Sequence, residues 1–215
     1  MIRHLFFATC FLVAWPLFGT GTSSAETRII DATGRTVTIH DSQRVVSIGG
    51  AVTEIIYALG LSYRVVAVDS TSRYPVEVTS KPNVGYMRQL AAEPILALEP
   101  SLVLAVQDSG PPAVLDQLRE AGLPVVLIPD VPSPLGVLDK IARVAAALGE
   151  PEKGRVLEAR LKAELDALTA AVARVPRRPR VLFLLSVGSG GAPLAAGRNT
   201  SAAGIIELAG GINAV

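Results

Sequence analysis

Between Arg44 and Leu148 the chain repeats one pattern: a short run of β-branched and aliphatic residues, then a stretch long enough for a helix. Val45-Val46-Ser47-Ile48 precedes Thr53 to Leu59, and Val65 to Val68 follows; Leu102 to Val106 precedes Pro112 to Ala121, and Val125 to Ile128 precedes Leu135 to Leu148. Parallel strands need long crossovers, so strands alternating with helices imply a parallel sheet under covering helices. The strand runs are almost wholly apolar, as strands covered on both faces must be. Ahead of them, Arg28 to Asp31 and Arg35 to Ile39 flank Ala32-Thr33-Gly34 and read as a small hairpin. The expected fold class is α/β.

The segment from Pro151 to Val175 breaks this rhythm. Pro151 suits a first helical turn, and Val156, Leu157, Leu161, Leu165, Leu168 and Val172 recur at three- and four-residue spacing among Lys and Glu. At about 1.5 Å per residue such a helix is long enough to cross from one lobe to another. Pro176-Arg177-Arg178-Pro179 ends it. An apolar strand, Val181 to Leu185, the Gly-rich loop Ser186 to Gly191 and a helix from Thr200 to Leu208 then begin a second α/β lobe. A lone strand and helix cannot bury their apolar faces, so the expected second lobe is incomplete. The expected domains are residues 1–25 as a signal peptide, 26–150 as an N-terminal α/β lobe, 151–175 as an interlobe helix and 176–215 as the start of a truncated C-terminal lobe.

Arg3 and His4 precede the apolar run Leu5 to Phe18, and Ser23-Ser24-Ala25 offers a signal-peptidase site. The run is too short to span a membrane. Cleavage near Ala25 would leave an exported chain with no direct membrane insertion, and Cys10, inside the run, is badly placed for a lipid anchor. Of 20 basic residues only Arg3 leaves with this segment, so the remaining 19 balance the 19 acidic ones. With no basic excess, nucleic acid is not an expected partner. The only Cys and the only Trp also leave, which excludes a Cys nucleophile, a Cys-rich zinc site and a disulfide framework. A His-dependent triad would rest on His40 alone.

Three stretches carry a family resemblance: Arg44 to Gly60 (RVVSIGGAVTEIIYALG), Val68 to Pro75 (VDSTSRYP), and Val84 to Leu104, which contains Gly-Tyr-Met-Arg-Gln-Leu and Glu-Pro-Ser-Leu-Val. They resemble the periplasmic haemin-binding proteins of bacterial ABC importers, within the class that also binds vitamin B12 and ferric siderophores. The Thr-Glu helix and the Glu-Pro-Ser-Leu-Val strand mark the wider class; the Gly-Tyr-Met-Arg-Gln-Leu run points to haem. The resemblance covers about residues 28 to 215 and implies the class III binding-protein fold: two Rossmann-like lobes joined by one long helix, with the second lobe here cut short. It also implies a periplasmic location, haem as the transported ligand, and an inner-membrane permease with its ATPase as partner.

All four tyrosines, Tyr57, Tyr63, Tyr74 and Tyr86, fall within one thirty-residue stretch. Tyr57 sits among Ile55, Ile56 and Leu59 and reads as core, and Tyr63 as part of a helix-to-strand turn. Tyr74 and Tyr86 lie between the second and third strands, and loops leaving the carboxyl ends of parallel strands are where ligands bind. For Tyr86 the chemistry is an axial phenolate on ferric haem iron. A free phenol has a pKa of about 10, so the anion needs support, from the iron and from the Arg88 guanidinium. The other reading is a surface Tyr in a loop, with Arg88 paired elsewhere. Arg73 and Tyr74, before Pro75, would meet a haem propionate or simply close a turn. Met87 reads as packing rather than as a thioether ligand, and His40 lies before the sheet begins.

Two function classes follow: a non-enzymatic receptor for haem, with a corrinoid or ferric siderophore as the alternative ligand, or an exported α/β enzyme or nucleotide-binding module. The second lacks an acid, base and nucleophile constellation. Gly188-Ser189-Gly190-Gly191 also lacks the Lys-Ser/Thr ending of a phosphate-binding loop.

Overall fold

The computed structural model describes residues 26–187 and 192–215. The expected export segment and the Gly188 to Gly191 cluster lie outside the described residues. An antiparallel hairpin opens the structure, β1 (Thr27–Ile30) and β2 (Thr36–Ile39), with Ile29 opposite Val37. The repeated pattern follows: β3 (Val45–Ile48), α1 (Gly50–Ala58), β4 (Val65–Val68), α2 (Ala92–Leu96), β5 (Leu102–Val106), α3 (Pro112–Glu120), β6 (Val125–Ile128), α4 (Pro134–Ala147) and α5 (Pro151–Val172). Strands β3 to β6 form one parallel sheet in the order β4-β3-β5-β6.

Side chains alternate across a strand, and two core clusters divide the sheet accordingly. Val45, Leu102, Leu104, Val106, Val126 and Ile128 face α1, α4 and the start of α5. Val46, Ile48, Val103, Ala105, Val125 and Leu127 face α2 and α3. Every residue of β3, β5 and β6 is buried, which is why no polar alternation breaks these runs.

Local chemistry sets the ends of the longer helices. Ser133 caps α4, its hydroxyl accepting from the Gly136 amide at 3.0 Å, and Pro134 follows in the first turn. Helix α5 packs closely on α4 because Gly154 lacks a side chain; a Cβ there would lie 2.6 Å from the Ala145 Cβ. The corner between the two helices is held by Arg64, which is nearly fully buried. Its guanidinium donates to the Leu148 carbonyl at 2.8 Å, to Glu150 at 2.8 Å and to the Ser42 hydroxyl at 3.2 Å. Tyr63 lies in the short 3-10 turn Ser62–Arg64 between helix and strand, exposed, with the Arg64 guanidinium 5.6 Å from its ring centre.

After α5 the structure departs from the single strand expected over Val181 to Leu185. That run is split into β7 (Arg180–Val181) and β8 (Leu184–Ser186). Strand β8 pairs antiparallel with β9 (Leu194–Ala195), while β7 pairs in parallel with β10 (Ile212–Asn213), beyond α6 (Ser201–Leu208). Leu182, Phe183, Leu184 and Leu185 are all exposed. Among the described residues no layer covers Leu182 to Leu185, and each end of the run pairs with the neighbour within reach. Helix α6 forms as expected, with Thr200 accepting from the Ala203 amide at 3.2 Å as its cap.

Candidate functional site

The loops that leave the carboxyl ends of the parallel strands are tied together by backbone hydrogen bonds. Residue Val84 donates to the Val68 carbonyl at 2.9 Å, extending β4, and the Ser70 amide donates to the Gly85 carbonyl at 2.8 Å. The chain then turns, with the Gln89 amide on the Tyr86 carbonyl at 2.8 Å, and meets the loop after β5: Gly110 donates to Met87 at 2.9 Å and Leu90 to Gly110 at 3.0 Å. Gly85 has φ of +97°, a conformation that a residue with a Cβ rarely adopts, and its amide is held by the Asn83 side chain at 2.8 Å. The loop bearing Tyr86 is thus fixed on both sides.

Met87 packs against both core clusters, which fits the packing reading and anchors the loop. Its neighbours are turned outward: Tyr86 is 42 % exposed, and the Arg88 side chain 59 %. The Arg88 partner is Asp108, whose carboxylate lies 3.5 Å from the guanidinium. Arg88 is therefore paired across the loops rather than with the Tyr86 hydroxyl. Nothing in the sequence joins Arg88 to Asp108, twenty residues on; the pair exists only because the sheet sets their loops side by side.

Arg73 bonds weakly within its own turn, its Nε 3.5 Å from the Ser70 carbonyl, and leaves its guanidinium exposed. Tyr74, also exposed, lines a groove along α1, α4 and α5 with Tyr57, Val137 and Leu161. Tyr86 and Arg88 do not line that groove; Arg88 pairs instead with Asp108 of the loop after β5. Tyr57 is partly buried against the core, and its burial, with the nearby Glu77 carboxylate, pushes its phenol above the ordinary range. His40 is exposed before β3, 4.0 Å from Glu26.

The residue most deeply built into the site is Asp69. It is fully buried at the end of β4, and its carboxylate accepts from the Gly49 amide at 2.9 Å, the Thr71 amide at 3.0 Å, the Thr71 hydroxyl at 2.6 Å and the Ser72 hydroxyl at 2.8 Å. An Asp followed by Ser-Thr-Ser after an apolar strand was the available signal, since Asp side chains commonly close such turns. Among the described residues there is no group of three His, Cys, Asp or Glu arranged to hold a metal ion, and no helix is long and apolar enough to cross a membrane.

A lobe with a parallel sheet, strand-end loops that present an aromatic and two opposite charges, and a long helix leading to further α/β elements define a ligand-binding protein of two-lobed type. The family model for periplasmic binding proteins matches residues 45–215, and the chain belongs to that family. Its fold is the class III binding-protein fold. The apo periplasmic heme-binding protein RhuT from Roseiflexus sp. RS-1 is 44% identical with a TM-score of 0.76, over 80% of this chain and 66% of that one. BhuT, solved in complex with two hemes, is 39% identical with a TM-score of 0.77, over 81% and 68%. Among curated relatives, the vitamin B12-binding protein of Vibrio campbellii is 32% identical over 131 residues, 59% of this chain and 46% of its own length. An uncharacterized ABC transporter substrate-binding lipoprotein, YvrC, from Bacillus subtilis is 35% identical over 140 residues, 64% and 44%. The chain spans less than half the length of these curated relatives and about two thirds of the solved structures.

Proposed function

We propose that this chain captures haem outside the cytoplasm and delivers it to an inner-membrane ABC permease driven by its ATPase, without itself being an enzyme. The observation that carries the reading is Tyr86, held half-exposed at the carboxyl ends of the strands by the partly buried Met87 and by hydrogen bonds on both sides. A phenolate there is a hard anionic oxygen ligand for ferric haem. Arg88 supplies a cation two residues away, free to turn from the exposed Asp108 toward the phenolate or a propionate. Arg73, exposed on the adjoining loop, is the second candidate for a propionate. Tyr74, exposed beside α1, is the further candidate for contact with the ligand.

The domain reading goes with this: residues 26–150 form the lobe that carries the iron ligand, 151–175 the interlobe helix and 176–215 the beginning of the second lobe, after export with cleavage near Ala25. The heme-binding names of the structural neighbours support haem as cargo; the vitamin B12-binding relatives favour a corrinoid as the second reading. Equilibrium titrations with haemin, cobalamin and a ferric siderophore separate them. Saturable haemin binding with no cobalamin or siderophore binding is expected; tight cobalamin binding without haemin binding would replace the proposal with the corrinoid reading.

A further inference from the structure

Asp69 occupies the point where three parts of the site meet, and its hydrogen bonds have a direction. Ser72 donates its only hydroxyl proton to Asp69, so at its 2.7 Å contact with Thr53 it accepts; Thr53, having donated, accepts in turn from Ser47 at 2.7 Å. A polarised chain of three hydroxyls therefore runs from β3 through α1 and ends on the carboxylate. With the Gly49 and Thr71 amides and the Thr71 hydroxyl, all four acceptor positions of the ionised carboxylate are taken. Thr71 also accepts from the Gly50 amide at 3.2 Å. The turn so fixed, 69–72, aims the Ser70 amide at the Gly85 carbonyl, the residue before Tyr86.

We infer that Asp69 is the positioning residue of the haem site: its carboxylate locks the start of α1 to the 69–72 turn and, through Ser70 and Gly85, sets where Tyr86 stands. This rests on the haem reading for its consequence in binding, but the mechanical part does not. A carboxamide has nearly the same shape and offers one acceptor oxygen in place of two. The hydroxyl chain can reverse to suit an NH2 group, but a backbone amide cannot. Whichever way the amide of Asp69→Asn turns, either the Gly49 or the Thr71 amide faces a donor.

The test uses the full chain as Asp69→Asn beside Asp31→Asn, a control in the β1 to β2 turn. Asp31 is also buried, and one oxygen of its carboxylate accepts from the Thr33 amide and hydroxyl and the Arg35 amide, in a turn that no hydrogen bond among the described residues joins to residues 83–90. Hydrogen exchange of residues 83–90 should quicken about 10- to 100-fold in Asp69→Asn, the scale set by one orphaned buried donor, and stay at the parent rate in Asp31→Asn. Haemin affinity, with the phenolate-to-iron charge-transfer absorption, should fall in Asp69→Asn by a comparable factor and hold in Asp31→Asn. Should Asp69→Asn fail to fold, Thr71→Val removes the hydroxyl's bond to the carboxylate and the one it accepts from the Gly50 amide, while the carboxylate keeps the Gly49 and Thr71 amides, and its exchange at 83–90 should quicken by a smaller factor. Parent-like exchange at 83–90 in the folded variant, equal quickening in the Asp31 control, or quickened exchange with haemin affinity unchanged would each overturn the inference. A parent that binds no haemin defeats the haem reading instead, and the exchange result still decides whether Asp69 sets the Tyr86 loop.

Discussion

Replacing Arg64 by Met should loosen the corner from which α5 departs, and the structure sets the size of the effect. The guanidinium makes two short charge-assisted bonds, to Leu148 and Glu150, and longer ones to the Ser42 and Tyr63 hydroxyls. Neither short-bond acceptor is orphaned by its loss. The Ser42 hydroxyl already lies 3.2 Å from the Leu148 carbonyl, and Glu150, a quarter exposed, keeps Lys153 at 3.3 Å. That places the cost below the 3–5 kcal/mol typical of breaking a buried pair; two charged hydrogen bonds at the low end, less the relief of burying no charge, give about 2–3 kcal/mol. For a chain of this size the melting temperature should drop by about 5–10 °C. Glu150→Gln, at the more exposed end of the pair, should cost about 1 kcal/mol. Thermal unfolding followed by circular dichroism reads both. A change below about 1 °C in Arg64→Met, or equal losses in the two variants, would refute the view that Arg64 is the clamp and Glu150 one of several acceptors.

Arg88→Ala should move the acid midpoint of haem release upward, because a phenolate without its cationic neighbour is protonated more readily; Asp108→Asn should move it downward by less than about one pH unit, an exposed pair being worth about 0–1 kcal/mol. A pH titration of the haem-bound absorption checks both, and identical midpoints in all three proteins would remove Arg88 from the site. Gly154→Val must push a side chain against Ala145 and should destabilise the α4 to α5 packing by about 1–3 kcal/mol, measured by chemical denaturation; an unchanged midpoint would mean that α5 does not sit on α4 as described.

The first lobe was legible in the sequence because its strands are buried on both faces: Leu102 to Val106 and Val125 to Ile128 match β5 and β6 residue for residue. The C-terminal strand was not, because Val181 to Leu185 is apolar in composition yet exposed, and what an apolar run does without a covering layer depends on neighbours such as Leu194 and Ile212 far along the chain. Tyr86 and Arg88 stood out through their motif and Met87 through its apolarity. Their surroundings did not, since the Arg88 to Asp108 pair joins two loops that only the sheet brings side by side. Ser47, Thr53, Asp69 and Ser72 read as ordinary strand, helix and turn residues, and only burial reveals the chain of hydroxyls that ends on the carboxylate. Tyr74, twelve residues before Tyr86, lines a groove with residues of α1, α4 and α5, neighbours that its own loop sequence does not indicate.

The central claim is that the Tyr86 oxygen is the iron ligand, and the haemin absorption spectrum of Tyr86→Phe against the parent tests it most directly. The phenyl ring preserves the packing of the loop while the oxygen is lost. The parent should show the charge-transfer band of tyrosinate-bound ferric iron, and the variant should lose that band and bind haemin more weakly with its fold intact. A variant whose spectrum and affinity match the parent's would show that iron, if bound, is held by something other than Tyr86.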